Sequence, residues 1–91
     1  MHINFRHNLR DDVRQSLYEE ANRWTRAVEM KGTDFLGGSE PNLADISMYG
    51  VLNSIEGCYA FQELLRETKI RDWYFAVRNS IRRDVQSVNE N

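Results

Sequence analysis

Pro41-Asn42-Leu43-Ala44-Asp45-Ile46-Ser47-Met48-Tyr49-Gly50-Val51-Leu52 is the stretch whose reading decides the fold. Asn42 suits an N-cap, because its side-chain oxygen can accept from the free N–H groups of a first helical turn. Asp45 stands three residues on and can reach back to the Asn42 N–H, which completes a capping box. Its negative charge also sits at the positive end of the helix dipole. Beyond the cap, Leu43, Ala44, Ile46, Met48, Tyr49, Val51, Leu52 and Ile55 cover more than one face at helical period. A helix apolar on nearly every side is expected to be the buried centre of a bundle. Gly50 costs about 1 kcal/mol against Ala inside a helix, so a second helix is expected to cross closely there.

Working outward, residues 33–41 form a loop with a Gly37-Gly38 pair, in which Phe35 and Leu36 are the apolar anchors. Upstream, a helix runs from about Asp11 to Met30. Its Val13, Leu17, Ala21, Trp24 and Val28 recur at one apolar stripe. Asp11 and Asp12 fall in its first turn, and Lys31-Gly32 mark its end. Residues 1–10 show no clean period. Downstream, the central helix is expected over roughly 43–56 and stops at Gly57. A short helix spans about 59–67, with Phe61, Leu64 and Leu65 inward. A last helix starts near Asp72 and carries Trp73, Val77, Ile81, Val85 and Val88 on its apolar stripe, with Arg82 and Arg83 on the solvent side. No stretch alternates at period two for long enough to be a strand. The reading is all-α, a four-helix segment, with the first and last helices flanking the central one.

Composition narrows the classes. A chain of 91 residues is one domain with a thin core. A 41% apolar and 29% charged composition is that of an ordinary globular domain. A net charge of −2 with both signs interspersed argues against a nucleic-acid footprint. The single cysteine, Cys58, allows neither an internal disulfide nor a cysteine-based metal site, and points to a reducing, intracellular setting. No apolar run approaches the roughly 20 residues of a membrane span, and no secretory signal is visible.

Candidate chemistry is sparse, and each candidate has a plainer explanation. Asp45 could be a general acid or base, but the capping box accounts for it better. Cys58 could be a reactive thiol, yet Gly57 and Tyr59 beside it supply no positive charge to lower its pKa, so a half-buried inert thiol is the stronger reading. His2, Arg6, His7 and Arg10 could bind a carboxylate, a phosphate or a haem propionate, against a solvated segment near a chain end. Trp73-Tyr74-Phe75 could line a pocket, but core packing with one neighbour partly exposed fits better.

A buried helix opened by this box resembles the central helix of the C-terminal domain of glutathione S-transferases. A longer string is narrower: Phe35-Leu36-Gly37-Gly38, Pro41-Asn42-Leu43-Ala44-Asp45, Tyr49-Gly50-Val51-Leu52, Glu56-Gly57, Ala60-Phe61, Thr68, Ile70 and Trp73-Tyr74. With Arg6-His7, Leu9, Asp12-Val13-Arg14, Leu17-Tyr18-Glu19 and Trp24 upstream, it is similar to the C-terminal domain of the membrane-associated prostaglandin E synthase type 2 family. In that family a membrane-anchoring segment precedes a thioredoxin-like domain with a Cys-x-x-Cys motif, and the helical domain follows. The family isomerises prostaglandin H2 to prostaglandin E2 and binds glutathione and haem. The resemblance carries no catalytic residue here, because the reactive thiol belongs to the thioredoxin-like domain and this chain has no Cys-x-x-Cys. It matches Arg6, and His2 by position, to arginines that approach the haem, making Arg6 and His2 the candidate haem-propionate contacts.

The resemblance further implies that residues 1–91 are a single, partial domain that binds no cofactor alone. The parent would carry glutathione and haem. This chain's partners would be the parent's thioredoxin-like domain and a second copy of itself, with no nucleic acid and no membrane insertion. The parent would be a Golgi or perinuclear membrane-associated protein or a cytosolic one. The family's helical domain carries another long helix before Arg6, so an apolar groove is expected to stand open. The alternative is a transferase-like interaction module with no enzymatic activity, of the kind that docks translation factors and synthetases.

Overall fold

The computed structural model describes residues 11–89. They form four α-helices: α1 (Asp11–Lys31), α2 (Leu43–Asn53), α3 (Tyr59–Glu67) and α4 (Ile70–Asn89). Among the described residues there is no strand, only an isolated bridge between Phe35 and Gly38. The all-α expectation holds.

Helix α4, not α2, is the centre. It packs on each of the other three helices, whereas α2 packs chiefly on α4. The reason lies in the width of the α4 face. Ile70, Trp73, Tyr74, Val77 and Ser80 are all buried, a stripe broad enough to meet neighbours on several sides. Helix α2 buries only Asp45 and Leu52 completely. Leu43 is 80% exposed and Val51 58% exposed, so the expected burial on nearly every side is overturned. A Cβ placed on Gly50 would meet nothing within 4 Å, so among the described residues no helix crosses there.

The other elements follow the sequence with small offsets. Helix α1 buries Ala21, Thr25 and Val28, while Val13 at the start of its predicted stripe stands 36% exposed. Gly32 closes α1 at φ +76°, its N–H donating to the carbonyls of Glu29 at 3.0 Å and Val28 at 3.2 Å. Phe35, 4% exposed, plugs the following loop into the core as expected. Helix α2 ends at Asn53 rather than near residue 56. From there the chain tightens into three-residue turns, with the Ile55 N–H on the Leu52 carbonyl and the Glu56 N–H on that of Asn53. Cys58 is half-buried at the N-cap of α3 and makes no side-chain cap bond. Helix α3 buries Ala60, Phe61 and Leu64. Helix α4 begins two residues before the predicted Asp72. The Thr68 hydroxyl donates to the Leu64 carbonyl at 2.7 Å and accepts from the Ile70 N–H at 3.3 Å, which caps the helix that early. On α4, Val85 is 55% exposed and falls outside the buried face.

Candidate functional site

The Asn42–Asp45 box is present, and it holds more than a helix end. The Asp45 N–H donates to Asn42 Oδ1 at 3.0 Å, and the Asn42 N–H donates to Asp45 Oδ2 at 2.9 Å. Two further backbone donors come from the preceding loop: Leu36 N–H to Oδ1 and Gly37 N–H to Oδ2, both 2.9 Å. The fourth donor is the Trp73 indole Nε1–H, 2.9 Å from Oδ1 and carried on α4. Asp45 is fully buried, and burial pushes its carboxyl pKa up. The bonds from Asn42, Trp73, Leu36 and Gly37 outweigh that and hold it below the usual carboxylate range. A carboxylate with both oxygens doubly occupied has no acceptor position left for a substrate proton. The structure therefore assigns Asp45 the positioning role, as the box suggested, and extends it across three segments.

Gly37 is required by this arrangement. A Cβ there would lie 2.5 Å from the Glu40 carbonyl oxygen and 2.7 Å from the Asn42 nitrogen, both backbone atoms. Gly38 takes φ +108°, where its N–H reaches the Phe35 carbonyl at 3.0 Å and closes the turn that aims the Leu36 and Gly37 N–H groups at Asp45.

A second polar cluster ties the end of α2 to α4. The Tyr74 hydroxyl donates to Glu56 Oε2 at 2.5 Å and lies 3.2 Å from Asn53 Oδ1. Arg78 pairs with Glu56, donates from Nε to the Tyr49 hydroxyl at 3.0 Å, and lies over the Tyr74 ring at 5.2 Å. The bond from Tyr74, then that from Arg78, holds the Glu56 carboxyl low. Burial first, and Glu56 second, push the Tyr74 phenol up, so it stays protonated and is no nucleophile. Beside this cluster Tyr49, Ile81 and Arg82 complete an open groove of about 490 Å³. A third cluster joins α1 to α3. Arg14 pairs with Glu63, and the Tyr18 hydroxyl donates to the same oxygen at 3.0 Å.

A shallow cleft of about 350 Å³ runs between α1 and α4, floored by Val28, Trp73 and Ala76. Its rim mixes Glu29, Asp34 and Asp72 with Lys69 and Arg71, and Lys69 Nζ stands 3.9 Å from Glu29 Oε1. Trp24 meets Trp73 edge to face at 5.2 Å beneath it. Such a cleft can wall a ligand held elsewhere, but it converges no nucleophile and base on one point. No group of His, Cys, Asp and Glu side chains suited to a metal ion occurs among the described residues. No helix there is long and apolar enough to cross a membrane.

Of the sequence-derived candidates, Asn42, Asp45 and Trp73 come together, Tyr74 is buried in the second cluster, and Phe75 is partly exposed. Arg6 and His2, the candidate haem-propionate contacts, lie outside the described residues, as do His7 and Arg10. The sequence reading missed the Trp73–Asp45 bond. A signal existed: a buried indole N–H needs an acceptor, and Asp45 was the carboxylate already expected to be buried. The Glu56–Arg78 and Arg14–Glu63 pairs had no such signal, being 22 and 49 residues apart.

No protein-family model matches the chain. It is 50% identical to Prostaglandin E synthase 2 from Mus musculus over 76 residues, 84% of this chain. It is 44% identical to Prostaglandin E synthase 2 from Danio rerio over 72 residues, 79% of this chain. The matched stretches are 20% and 19% of those relatives, so the chain spans about a fifth of their length. The resemblance drawn from the box, the glycine pair and Trp73-Tyr74 is thereby confirmed.

Proposed function

We propose, from that likeness, that this chain is the helical module of a prostaglandin E synthase 2-like protein and is catalytically silent alone. In the longer protein it buttresses a thioredoxin-like domain, which supplies the thiol for isomerising prostaglandin H2 to prostaglandin E2. The module contributes one wall of the cleft that holds glutathione, haem and substrate. Arg6 and His2 reach the haem propionates. The observation that carries the reading is the 50% identity over 84% of the chain. The chemistry of the described residues agrees with it. Asp45, Glu56 and Glu63 are each committed to hydrogen bonds that hold the helices together, and a supporting module needs no more than that.

The test compares two proteins with prostaglandin H2 as substrate. The 91-residue chain alone is expected to form no prostaglandin E2 above the solvent background. The chain joined to its upstream thioredoxin-like domain is expected to form it. Turnover by the isolated chain, or none by the longer protein, would overturn the reading. Haem titration of the longer protein checks the wall: R6A is expected to weaken the Soret change.

A second reading, a docking module without enzymatic activity, draws on the uncharged outward side of α2. It predicts that the longer protein carries no Cys-x-x-Cys domain and no isomerase activity.

A further inference from the structure

Three hydrogen-bond donors meet in the groove between the end of α2 and the middle of α4, and among the described residues nothing accepts from them. Asn53 Oδ1 accepts from Arg78 Nη2 at 3.4 Å and lies 3.2 Å from the Tyr74 hydroxyl, which leaves the Asn53 NH2 group without a partner there. Arg78 uses Nε on the Tyr49 hydroxyl and Nη2 on Glu56, and its Nη1 has no hydrogen bond among the described residues. Arg82 stands exposed one turn on, again with no hydrogen bond or ion pair among the described residues. The positions three and four residues either side of it are Arg78, Asn79, Val85 and Gln86, so no carboxylate on α4 reaches it as a helical neighbour. Of the residues lining the groove only Glu56 is acidic, and its Oε2 already takes Tyr74 and Arg78. With Arg78 and Arg82 set against Glu56, the groove carries one surplus positive charge on a chain whose net charge is −2.

We infer that this groove binds a small aryl monocarboxylate. The carboxylate takes its bonds from Arg82, Arg78 Nη1 and the Asn53 amide, and the ring lies on Tyr49 and Ile81. A monoanion matches the one surplus positive charge, whereas a dianion such as a phosphate monoester would face Glu56 with charge left over. The planar guanidinium fork suits the paired oxygens of a carboxylate. The site is in part preorganised. Tyr49, Asn53, Glu56 and Tyr74 fix Arg78 before any ligand arrives, so little of its side-chain freedom is lost on binding. The Tyr49 ring is itself backed by Tyr74, centroids 4.8 Å apart, and a flat aromatic body extends that stack. At about 490 Å³ the groove has the size of a small-molecule site. A rigid ring is favoured over a long flexible chain, which would lose more freedom on so open a surface.

The inference does not rest on the functional reading above. A groove that binds nothing removes the inference and leaves the module intact. The test is NMR titration of the whole 91-residue chain with 2-naphthoate. The control is 2-naphthamide, which is neutral and of the same shape. Saturating shifts are expected at the Asn53 side-chain amide, Tyr49, Ile81 and the Arg82 guanidinium, with a Kd on the order of 1 mM or tighter. The amide is expected to bind at least about tenfold more weakly. R82E is expected to weaken 2-naphthoate at least about tenfold, with helical circular dichroism unchanged because Arg82 is exposed. R83E changes the net charge equally but lies outside the groove lining, and is expected to weaken binding less than about threefold. No saturating shift up to about 10 mM overturns the proposal. So do shifts centred on the cleft between α1 and α4, equal binding of the amide, R82E that binds like wild type, or R83E that weakens binding as much as R82E.

Discussion

Replacing Asp45 by Asn tests the constellation at the α2 N-terminus with almost no change of shape. Each carboxylate oxygen accepts two bonds: Oδ1 from Leu36 N–H and Trp73 Nε1–H, Oδ2 from Gly37 N–H and Asn42 N–H. An amide keeps one acceptor. Whichever way it turns, its NH2 group faces two donors, and both lose their partner inside the protein. Each bond to a charged acceptor contributes about 1.5–3 kcal/mol, so D45N is expected to cost about 3–6 kcal/mol. At 0.05–0.15 kcal/mol per residue, 91 residues give a total stability of about 5–14 kcal/mol. The variant is therefore expected to lose about a fifth or more of its stability, or to unfold. Urea unfolding read by tryptophan fluorescence measures it directly, because Trp73 is one of the four donors. The sign with pH follows from the lowered Asp45 pKa. The carboxylate's contribution is fully present above the unfolded carboxyl value, about 3.9, and is lost as pH falls through the lower folded value. The gap between wild type and D45N is thus expected to be widest at neutral pH and to close below about pH 4. A cost under about 1 kcal/mol at pH 7, or a gap that stays constant into acid, would refute the reasoning.

The two glycines of the box region should respond in opposite directions. G37A forces a Cβ to within 2.5 Å of a backbone oxygen and is expected to destabilise by about 2 kcal/mol or more. G50A meets nothing among the described residues and is expected to stabilise the fold by about 1 kcal/mol in thermal melts. W73F is expected to cost about 1.5–3 kcal/mol more than W24F in urea titrations. Both lose part of an indole, but only W73F removes a donor to Asp45, since Trp24 Nε1 has no partner among the described residues. Y74F should cost about 1–2 kcal/mol by removing the hydroxyl bonds to Glu56 and Asn53, and should raise the Glu56 pKa in a carboxyl-resolved NMR titration.

The sequence was most legible where an interaction is local. The Asn42–Asp45 box spans four residues, and the Gly32 stop and the α3 stripe of Phe61, Leu64 and Leu65 lie within a turn or two of what they act on. Helical period also placed all four helices, with ends displaced by two or three residues. Thr68 started α4 early, and the three-residue turns after Asn53 ended α2 early. The hierarchy of burial was less legible. The apolar character of α2 pointed to the centre of the bundle, but apolarity records what a helix can bury against and not which neighbour is there. Helix α4 has a similar stripe diluted by Arg71, Asp72, Arg78, Arg82 and Arg83, yet it touches every other helix. For the candidate site, the cap was readable and the pairing of Trp73 with Asp45 was recoverable in principle. The Glu56–Tyr74–Arg78 and Arg14–Tyr18–Glu63 clusters depend on how helices are placed in space, which no local pattern encodes.

The four bonds converging on Asp45 bear on how the protein opens. The Leu36 and Gly37 amides lie in an outer loop, where amide protons usually exchange with solvent within the native state. Here both are held by the carboxylate that starts α2 and that receives the Trp73 indole of α4. Releasing either amide strands a buried negative charge. These two loop protons are therefore expected to exchange slowly, at rates close to those of α2 itself, while Ser39 and Glu40 beside them exchange freely. In hydrogen-exchange terms Leu36, Gly37 and α2 open as one cooperative unit, although the freely exchanging Ser39 and Glu40 stand between them in the chain.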